Sequence, residues 1–152
     1  PHSFQLEADK QKLSAAKDVN SKFELLSLEV HRLIHYSLAP DGRIGWISKE
    51  HIEKIRSYEQ TRDEAVSSFV KCLVANQSFI SERITTELTE YLKLFTDLMN
   101  SFAVLSLEPP SYKRYLDFCA DTSRLTVMVT EQETRVRGEL SAAAGGFCSA
   151  PA

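Results

Sequence analysis

The fold of this chain is best read first from residues 13–38, whose sequence is LSAAKDVNSKFELLSLEVHRLIHYSL. Apolar side chains recur there at alternating intervals of four and three residues, at Val19, Phe23, Leu26, Val30 and Leu33. This spacing is typical of one face of an α-helix that packs nearly parallel to its neighbours. Pro40 disfavours helical geometry at the residue before it. We therefore predict a first helix that begins near Ser3 and ends near Ser37.

The next long segment, residues 46–108, contains neither glycine nor proline. A β-sandwich or barrel needs many turns and therefore many turn residues, so this segment predicts long helices. Asn76-Gln77-Ser78 supplies side chains that bond their own backbone, and a break there would give four helices of about 30 residues, each about 45 Å long. Equal lengths and short connections favour an all-α, antiparallel up-down four-helix bundle. The alternative is a three-helix arrangement with one long kinked helix over residues 48–107.

Two features mark the second predicted helix. Ser48 is suited to cap its first turn, and Ile47 and Ile52 hold the positions of a hydrophobic staple. Glu59 and Arg62 interrupt its apolar stripe. The interruption predicts either a less-buried stretch or a polar contact inside the bundle.

The last two predicted helices lie on either side of Glu108-Pro109-Pro110. Residues 122–130 are rich in β-branched side chains and form the weakest predicted helical stretch. The chain becomes rich in Ala, Gly and Ser after Leu140, so we predict one domain over residues 1–140 and a flexible tail over 141–152. The predicted core residues are Phe23, Leu26, Val30, Phe69, Leu73, Leu88, Phe95, Leu98 and Phe102.

Composition argues against two classes of partner. The net charge of −3 is spread evenly along the chain, so no segment has the basic excess that binding to nucleic acid requires. No apolar run approaches the roughly 20 residues that span a bilayer, so we predict no membrane insertion. The chain begins without methionine, and we expect a processed form or a piece of a longer protein.

The three cysteines, Cys72, Cys119 and Cys148, are widely spaced and form no Cys-x-x-Cys motif. This pattern favours reduced thiols and a cytoplasmic location. In an up-down bundle Cys72 and Cys119 would lie about 25 Å apart along the axis, so we predict no disulfide between them.

Potential metal ligands occur near one end of the predicted bundle. His31 and His35 are four residues apart, and His51 and Cys119 fall at a similar level. The helical periodicity nevertheless places His31 on the flank of the apolar stripe and His35 well away from it. We therefore predict histidines that face solvent, and no metal or other cofactor.

Enzyme motifs are missing from the sequence. It contains no Glu-x-x-His pair for a di-iron centre, no Gly-x-Ser-x-Gly turn for a serine nucleophile and no glycine loop for phosphate. We therefore expect a protein that is not an enzyme.

Apolar residues in unusual places suggest partner binding. Ile44-Gly45-Trp46-Ile47 is an apolar cluster in a connection, where it serves either as a lid over the core or as an exposed anchor. Apolar side chains over residues 95–107 cover more than one helical face, which indicates burial on several sides or a binding surface. The predicted partner-binding residues are Ile44, Trp46, Met99 and Leu107.

We accordingly predict a non-catalytic helical interaction or scaffold module that binds another protein or a second copy of itself. The alternative is a ligand-sensing four-helix bundle of a bacterial membrane receptor, because an even number of alternating helices places both chain ends at one end of the bundle. Hydrophobic segments flanking this region in the full-length gene would distinguish the two.

Overall fold

The computed structural model describes residues 2–37, 49–107 and 112–145. Within these ranges the chain is all-helical and contains no strand, which confirms the predicted fold class. The five helices are α1 (His2–Ser37), α2 (Lys49–Ser57), α3 (Glu59–Ala75), α4 (Glu82–Leu107) and α5 (Tyr112–Ala143). The connection that carries Pro40 and Ser48, and residues 146–152 of the predicted tail, lie outside the described residues. Residues 141–143, which were predicted to belong to the tail, are part of α5.

The predicted second helix is divided into α2 and α3 at Tyr58. The Tyr58 amide donates to the Ile55 carbonyl three residues before it, at 3.2 Å. Arg62 reaches back along the helix, and its Nη1 donates to the same carbonyl at 3.0 Å. In an unbroken helix this carbonyl would instead accept the Glu59 amide. The interruption at Glu59 and Arg62 is therefore a polar contact inside the fold, since Arg62 is only 6% exposed.

This bend corrects the prediction of equal helices of about 30 residues. α2 has 9 residues and α3 has 17. The sequence pattern alone could not show the bend, because Glu59 and Arg62 are compatible with an exposed stretch of continuous helix.

The predicted break near residues 76–78 is confirmed, and the alternative of one long helix over residues 48–107 is wrong. α3 ends where the Asn76 amide and Asn76 Nδ2 both bond the Cys72 carbonyl, at 3.0 and 2.8 Å. α4 then begins with a side-chain cap, in which the Ile84 amide donates to Ser81 Oγ at 3.2 Å. Asn and Ser supply these local bonds, as their chemistry predicts.

The helices pack side by side around one core. The closest approaches are those of α4 with α5 and of α1 with α3, and α1 also lies along α5. In the pairs of contacting residues, the residue number on α5 falls as the residue number on α1 or α4 rises. α5 therefore runs antiparallel to both α1 and α4. The contacts that show this are Glu24–Arg137 and Ser27–Glu133 between α1 and α5, and Arg83–Glu139 and Tyr91–Glu133 between α4 and α5.

The core follows the predicted apolar stripes. The predicted core residues are buried, except Leu73, which is half-buried. The weakest predicted stretch, residues 122–130, is fully helical, and the hydroxyls of Thr126 and Thr130 donate to the carbonyls four residues before them. The side chain of Val129 is completely buried there, so packing overrides the low helix propensity of β-branched residues.

The structure also tests the predictions about the cysteines and about membrane insertion. Cys72 and Cys119 are free thiols, which confirms that they are not bonded to each other. Among the described residues, no helix combines the length and the apolarity needed to cross a bilayer.

Candidate functional site

The structure describes only part of the predicted partner-binding set. Ile44 and Trp46 lie outside the described residues, and Leu107 is the last residue of α4, with a side chain that is not described. Met99 is half-buried and lines a groove between α3 and α4. The four predicted residues are therefore not shown to form one surface.

The groove between α3 and α4, here called the α3–α4 groove, has a volume of about 460 Å³. Its apolar lining comes from Leu33, Met99 and Phe102, and its charged lining from α2 and α3. The full set is Leu33, Arg56, Glu59, Arg62, Asp63, Met99, Asn100, Phe102 and Ala103. Within the described part of the broad apolar face of α4, Phe95, Leu98 and Phe102 are buried inside the protein.

The described candidate metal ligands are not brought into one group. His31 lies beside Glu133 on α5, while the side chain of His51 lies outside the described residues. No group of three or more His, Cys, Asp or Glu side chains suited to a metal ion occurs among the residues that the structure describes. The prediction that His31 simply faces solvent needs correction, since its side chain is 47% exposed and bonded to a buried carboxylate.

That carboxylate, Glu133, is the centre of a polar cluster that joins three helices. We call it the Glu133 network, and its members are Ser27 and His31 of α1, Tyr91 of α4, and Glu133 and Arg137 of α5. Tyr91 OH donates to Glu133 Oε1 at 2.7 Å, and Ser27 Oγ donates to the same oxygen at 3.0 Å. His31 Nε2 lies 2.9 Å from each carboxylate oxygen. Arg137 Nη1 donates to Oε2 at 3.3 Å.

Arg137 extends the network to the protein surface. Its Nε and Nη2 bind the two oxygens of Glu24 at 2.9 and 3.2 Å, which is the two-point geometry that favours arginine. Its guanidinium also lies 5.6 Å from the centre of the Phe23 ring. Phe23 in turn packs edge-on against Tyr91, with ring centres 5.0 Å apart. The polar network and the apolar core therefore hold each other in place.

The surroundings of Glu133 favour its ionised form. Burial raises the pKa of this carboxyl, but the hydrogen bonds from His31, Tyr91 and Ser27 outweigh burial, and the pKa lies below its ordinary value. The pKa of Tyr91 is raised far above its ordinary value, first by burial and then by its bond to Glu133. Tyr91 thus stays a neutral donor to an ionised acceptor.

The arrangement leaves little room for chemistry at Glu133. A carboxylate offers about four lone-pair positions, and four donor groups already bond its two oxygens, with His31 Nε2 within reach of both. A substrate proton or a metal ion would have to displace one of these bonds. The network is therefore suited to fixing the mutual positions of α1, α4 and α5.

Sequence reasoning missed Glu133, although a signal was present. Val129, Val136 and Leu140 form the apolar stripe of α5, and position 133 falls on the same stripe. A charged residue at such a position predicts a buried, partnered charge. Arg62 interrupts the stripe of α3 in the same way.

A second buried glutamate lies on α1, in a groove between α1 and α3. Glu29 is 3% exposed, and its Oε1 accepts a bond from Arg32 Nη1 at 2.8 Å. Its Oε2 has no hydrogen-bond partner among the described residues. Such a group is costly to bury, so it requires an explanation.

This groove, here called the α1–α3 groove, has a volume of about 240 Å³. Leu25 and Leu28 line it from α1 and remain 52% and 48% exposed. Ala65 and Ser68 line it from α3 with small side chains. The full set is Lys22, Leu25, Leu28, Glu29, Thr61, Glu64, Ala65 and Ser68.

The α1–α3 groove combines the elements of a binding surface. Two leucines less than one helical turn apart offer exposed apolar area, and the buried carboxylate of Glu29 lies beside them with one unpartnered oxygen. Specific interfaces pair an apolar centre with a few placed polar groups in this way. In comparisons with protein families, with curated proteins and with solved structures, nothing matches this chain.

Proposed function

We propose that this chain is a non-catalytic helical module that binds another protein or a second copy of itself. One observation supports it most, namely that Leu25 and Leu28 are about half exposed beside the unpartnered carboxylate oxygen of Glu29. A single exposed leucine is ordinary on a protein surface. Two neighbouring leucines over an unsatisfied buried charge are better explained by a surface that a partner covers.

The Glu133 network supports the non-catalytic part of the proposal. It is the most extensive cluster of titratable side chains among the described residues, and its central carboxylate already accepts bonds from four side chains. A general base needs a free lone pair within hydrogen-bond reach of substrate. Glu133 would have to give up a fold-stabilising bond to act as one.

We further propose that α2 and α3 act as one bent arm, which makes the fold an antiparallel up-down four-helix bundle. The antiparallel contacts of α5 with α1 and α4 support this arrangement. So do the contacts between α1 and α4, where Ala16 shares a cavity with Ile84 and Phe23 touches Tyr91, as expected for parallel helices on a diagonal. The free thiols of Cys72 and Cys119 support a reducing, cytoplasmic setting.

A quantitative pull-down tests the proposed function. The bait is the whole chain, compared with a Leu25→Glu, Leu28→Glu double variant and with Val127→Glu as a matched control. Val127 is 57% exposed on α5 and does not line the groove. We expect a stoichiometric partner, or a second copy of the chain, to be retained by the wild type and the control and lost with the double variant. Identical binding by all three baits would contradict the proposal.

A second candidate function is the sensory bundle of a bacterial membrane receptor. One observation favours it, because Lys12 and Ala16 of α1 line the same cavity as Ala142 and Ala143 of α5. The first half of α1 and the last turn of α5 therefore lie near the same end of the protein. Sequencing of the full-length gene tests this candidate, which requires a hydrophobic membrane segment on each side of the region.

A further inference from the structure

The bend between α2 and α3 lies beside the incompletely bonded glutamate of α1. Arg32 donates to Glu29 Oε1 at 2.8 Å, and its guanidinium lies 4.9 Å from the centre of the Tyr58 ring at the bend. Arg62, four residues after Tyr58, is 6% exposed and bonds the Ile55 carbonyl across the bend. The buried carboxylate and the bend therefore belong to one cluster of side chains.

Arg62 lies at the level of Glu29 along α1. Glu29 lines the α1–α3 groove together with Thr61, and Leu33, one turn after Glu29, lines the α3–α4 groove together with Arg62. Burial lowers the pKa of the Arg62 guanidinium, and nearby carboxylates, that of Glu29 among them, act in the opposite direction. The two side chains are therefore neighbours between α1 and α3, although no hydrogen bond joins them.

Two acceptors are available to the Arg62 guanidinium, and the structure shows it on only one. Its Nη1 donates to the Ile55 carbonyl at 3.0 Å, and the side chain makes no other hydrogen bond or ion pair with a described residue. Glu29 Oε2 is buried and has no donor among the same residues. Arginine bonds a carboxylate more strongly than a neutral carbonyl, because both groups are then charged. The guanidinium thus occupies the weaker acceptor, which is open to it because the helix is interrupted at Tyr58.

We propose that Tyr58 is the hinge of a two-state switch, in which Arg62 bonds either the Ile55 carbonyl of a bent arm or the Glu29 carboxylate of a straight arm. In the straight state the Ile55 carbonyl accepts the Glu59 amide, as in any continuous α-helix. The buried oxygen of Glu29 and the buried guanidinium then satisfy each other inside the chain. The two states therefore differ by an exchange of bonds, which makes them discrete.

Apolar packing of α2 holds the arm in its bent state. The Ile55 side chain is 1% exposed in the main core, and Ile52 packs against that core. α2 lies against α1, so an arm that continued straight along the axis of α3 would lift both isoleucines away from α1. The cost of exposing them opposes the bonds gained at Glu29 and Ile55. Opposed contributions of this kind give an element two states of similar free energy.

Straightening would also change the α3–α4 groove. Arg56 and Glu59 line this groove from the two sides of the bend, next to the apolar wall that includes Leu33. Leu33 is 1% exposed in the bent state. Movement of α2 away from α1 would widen the groove and uncover Leu33. The switch therefore controls access to the apolar wall of the α3–α4 groove.

Hydrogen exchange at the Glu59 amide, followed by NMR on the whole chain, tests the switch. Ile55→Ala weakens the packing that holds the bent state, so we expect it to slow exchange at this amide at least about tenfold relative to the wild type. Leu140→Ala removes an equally buried side chain from α5 and should not slow it. A helix that is only destabilised would exchange faster, so slower exchange is specific to the straight state.

The same experiment identifies the acceptor in the straight state. We expect the slower exchange of Ile55→Ala to disappear when Glu29→Leu is added, because Arg62 then has no carboxylate to bond. A folded Ile55→Ala variant whose Glu59 amide exchanges as fast as in the wild type would overturn the switch. Slow exchange that survives Glu29→Leu would overturn the role assigned to Glu29.

Relaxation dispersion tests the switch without a core substitution, so the result does not depend on whether Ile55→Ala folds. We expect microsecond-to-millisecond exchange at the amides of residues 55–62 in the wild type, the timescale of such motions. Glu29→Leu should abolish it. Glu64→Leu makes the same change at an exposed position of α3 and should leave it intact. A wild type without this exchange, or equal exchange in Glu29→Leu, would contradict the proposal.

Discussion

Glu133 and Glu29 are two glutamates with the same burial and opposite environments. Each is 3% exposed. Glu133, between α1, α4 and α5, receives bonds from Ser27, His31, Tyr91 and Arg137. Glu29, between α1 and α3, receives one bond from Arg32 and keeps an unpartnered oxygen.

The difference shows that burial alone does not define the role of a charged residue. A buried carboxylate with all its acceptor positions used fixes the geometry around it, and loss of the carboxylate leaves its donors unsatisfied. A buried carboxylate with an unused oxygen stabilises the chain less, because no hydrogen bond offsets the cost of burying that oxygen. We therefore assign Glu133 to the fold, whereas Glu29 is an incompletely compensated buried charge beside the surface proposed for binding.

The largest expected effect is that of Glu133→Leu. Removal of this carboxylate leaves the hydroxyls of Tyr91 and Ser27 without their acceptor, and breaking a buried pair in this way costs about 3–5 kcal/mol. Urea unfolding followed by circular dichroism measures the loss. Glu24→Leu removes the exposed partner of Arg137 and should change stability by about 0–1 kcal/mol. A decrease in the free energy of unfolding of less than about 1 kcal/mol for Glu133→Leu would show that Glu133 does not stabilise the fold.

The next effect is that of Tyr91→Phe. This substitution keeps the edge-on ring contact with Phe23 and removes only the hydroxyl that donates to Glu133. A hydrogen bond to a charged group contributes about 1.5–3 kcal/mol, which is the expected loss in the free energy of unfolding. Stability equal to that of the wild type would show that the remaining donors satisfy Glu133 without Tyr91.

The pH dependence of stability sharpens the comparison further. The pKa of Glu133 lies below its ordinary value in the folded chain, so the unfolded chain binds more protons at acidic pH. The stabilisation from Glu133 is therefore complete above the ordinary glutamate value of about 4.3 and is lost as the pH falls through the folded value. We expect the difference in free energy of unfolding between the wild type and Glu133→Gln to stay constant from about pH 7 to the ordinary glutamate value of about 4.3 and to shrink as the pH falls below it. A difference that does not change with pH would contradict the Glu133 network as the source of this pH-dependent stabilisation.

The smallest expected effect is that of Glu29→Leu, the same substitution at the same burial. Arg32 remains partly exposed and can be solvated, and the unpartnered oxygen disappears. We expect a change within about 1 kcal/mol, because loss of the bond to the part-exposed Arg32 is offset by removal of the unpartnered buried oxygen. The measurement uses a Leu25→Glu, Leu28→Glu background so that self-association does not contribute. A loss as large as that of Glu133→Leu would end the distinction between the two glutamates.

The helices and the core were largely predictable from sequence. The stripe from Val19 to Leu33 and the cap-prone residues at 76–78 are local signals, and the structure confirms both. The bend at Tyr58 was not predictable, because it depends on Arg62 reaching a carbonyl seven residues earlier. The candidate surface was predicted at Trp46, Ile44, Met99 and Leu107, and the proposal now rests instead on the α1–α3 groove.

The sequence by itself determined where helices form and which face of each is apolar, because those features follow from contacts three and four residues apart on the same helix. Only the tertiary structure decided which buried charge is satisfied. The partners of Glu133 lie 42 to 106 positions away along the chain, apart from Arg137 on the next turn. They meet only because α1, α4 and α5 pack together. On the α3 side of α1, Arg62 donates instead to the Ile55 carbonyl, and the second oxygen of Glu29 has no donor among the described residues.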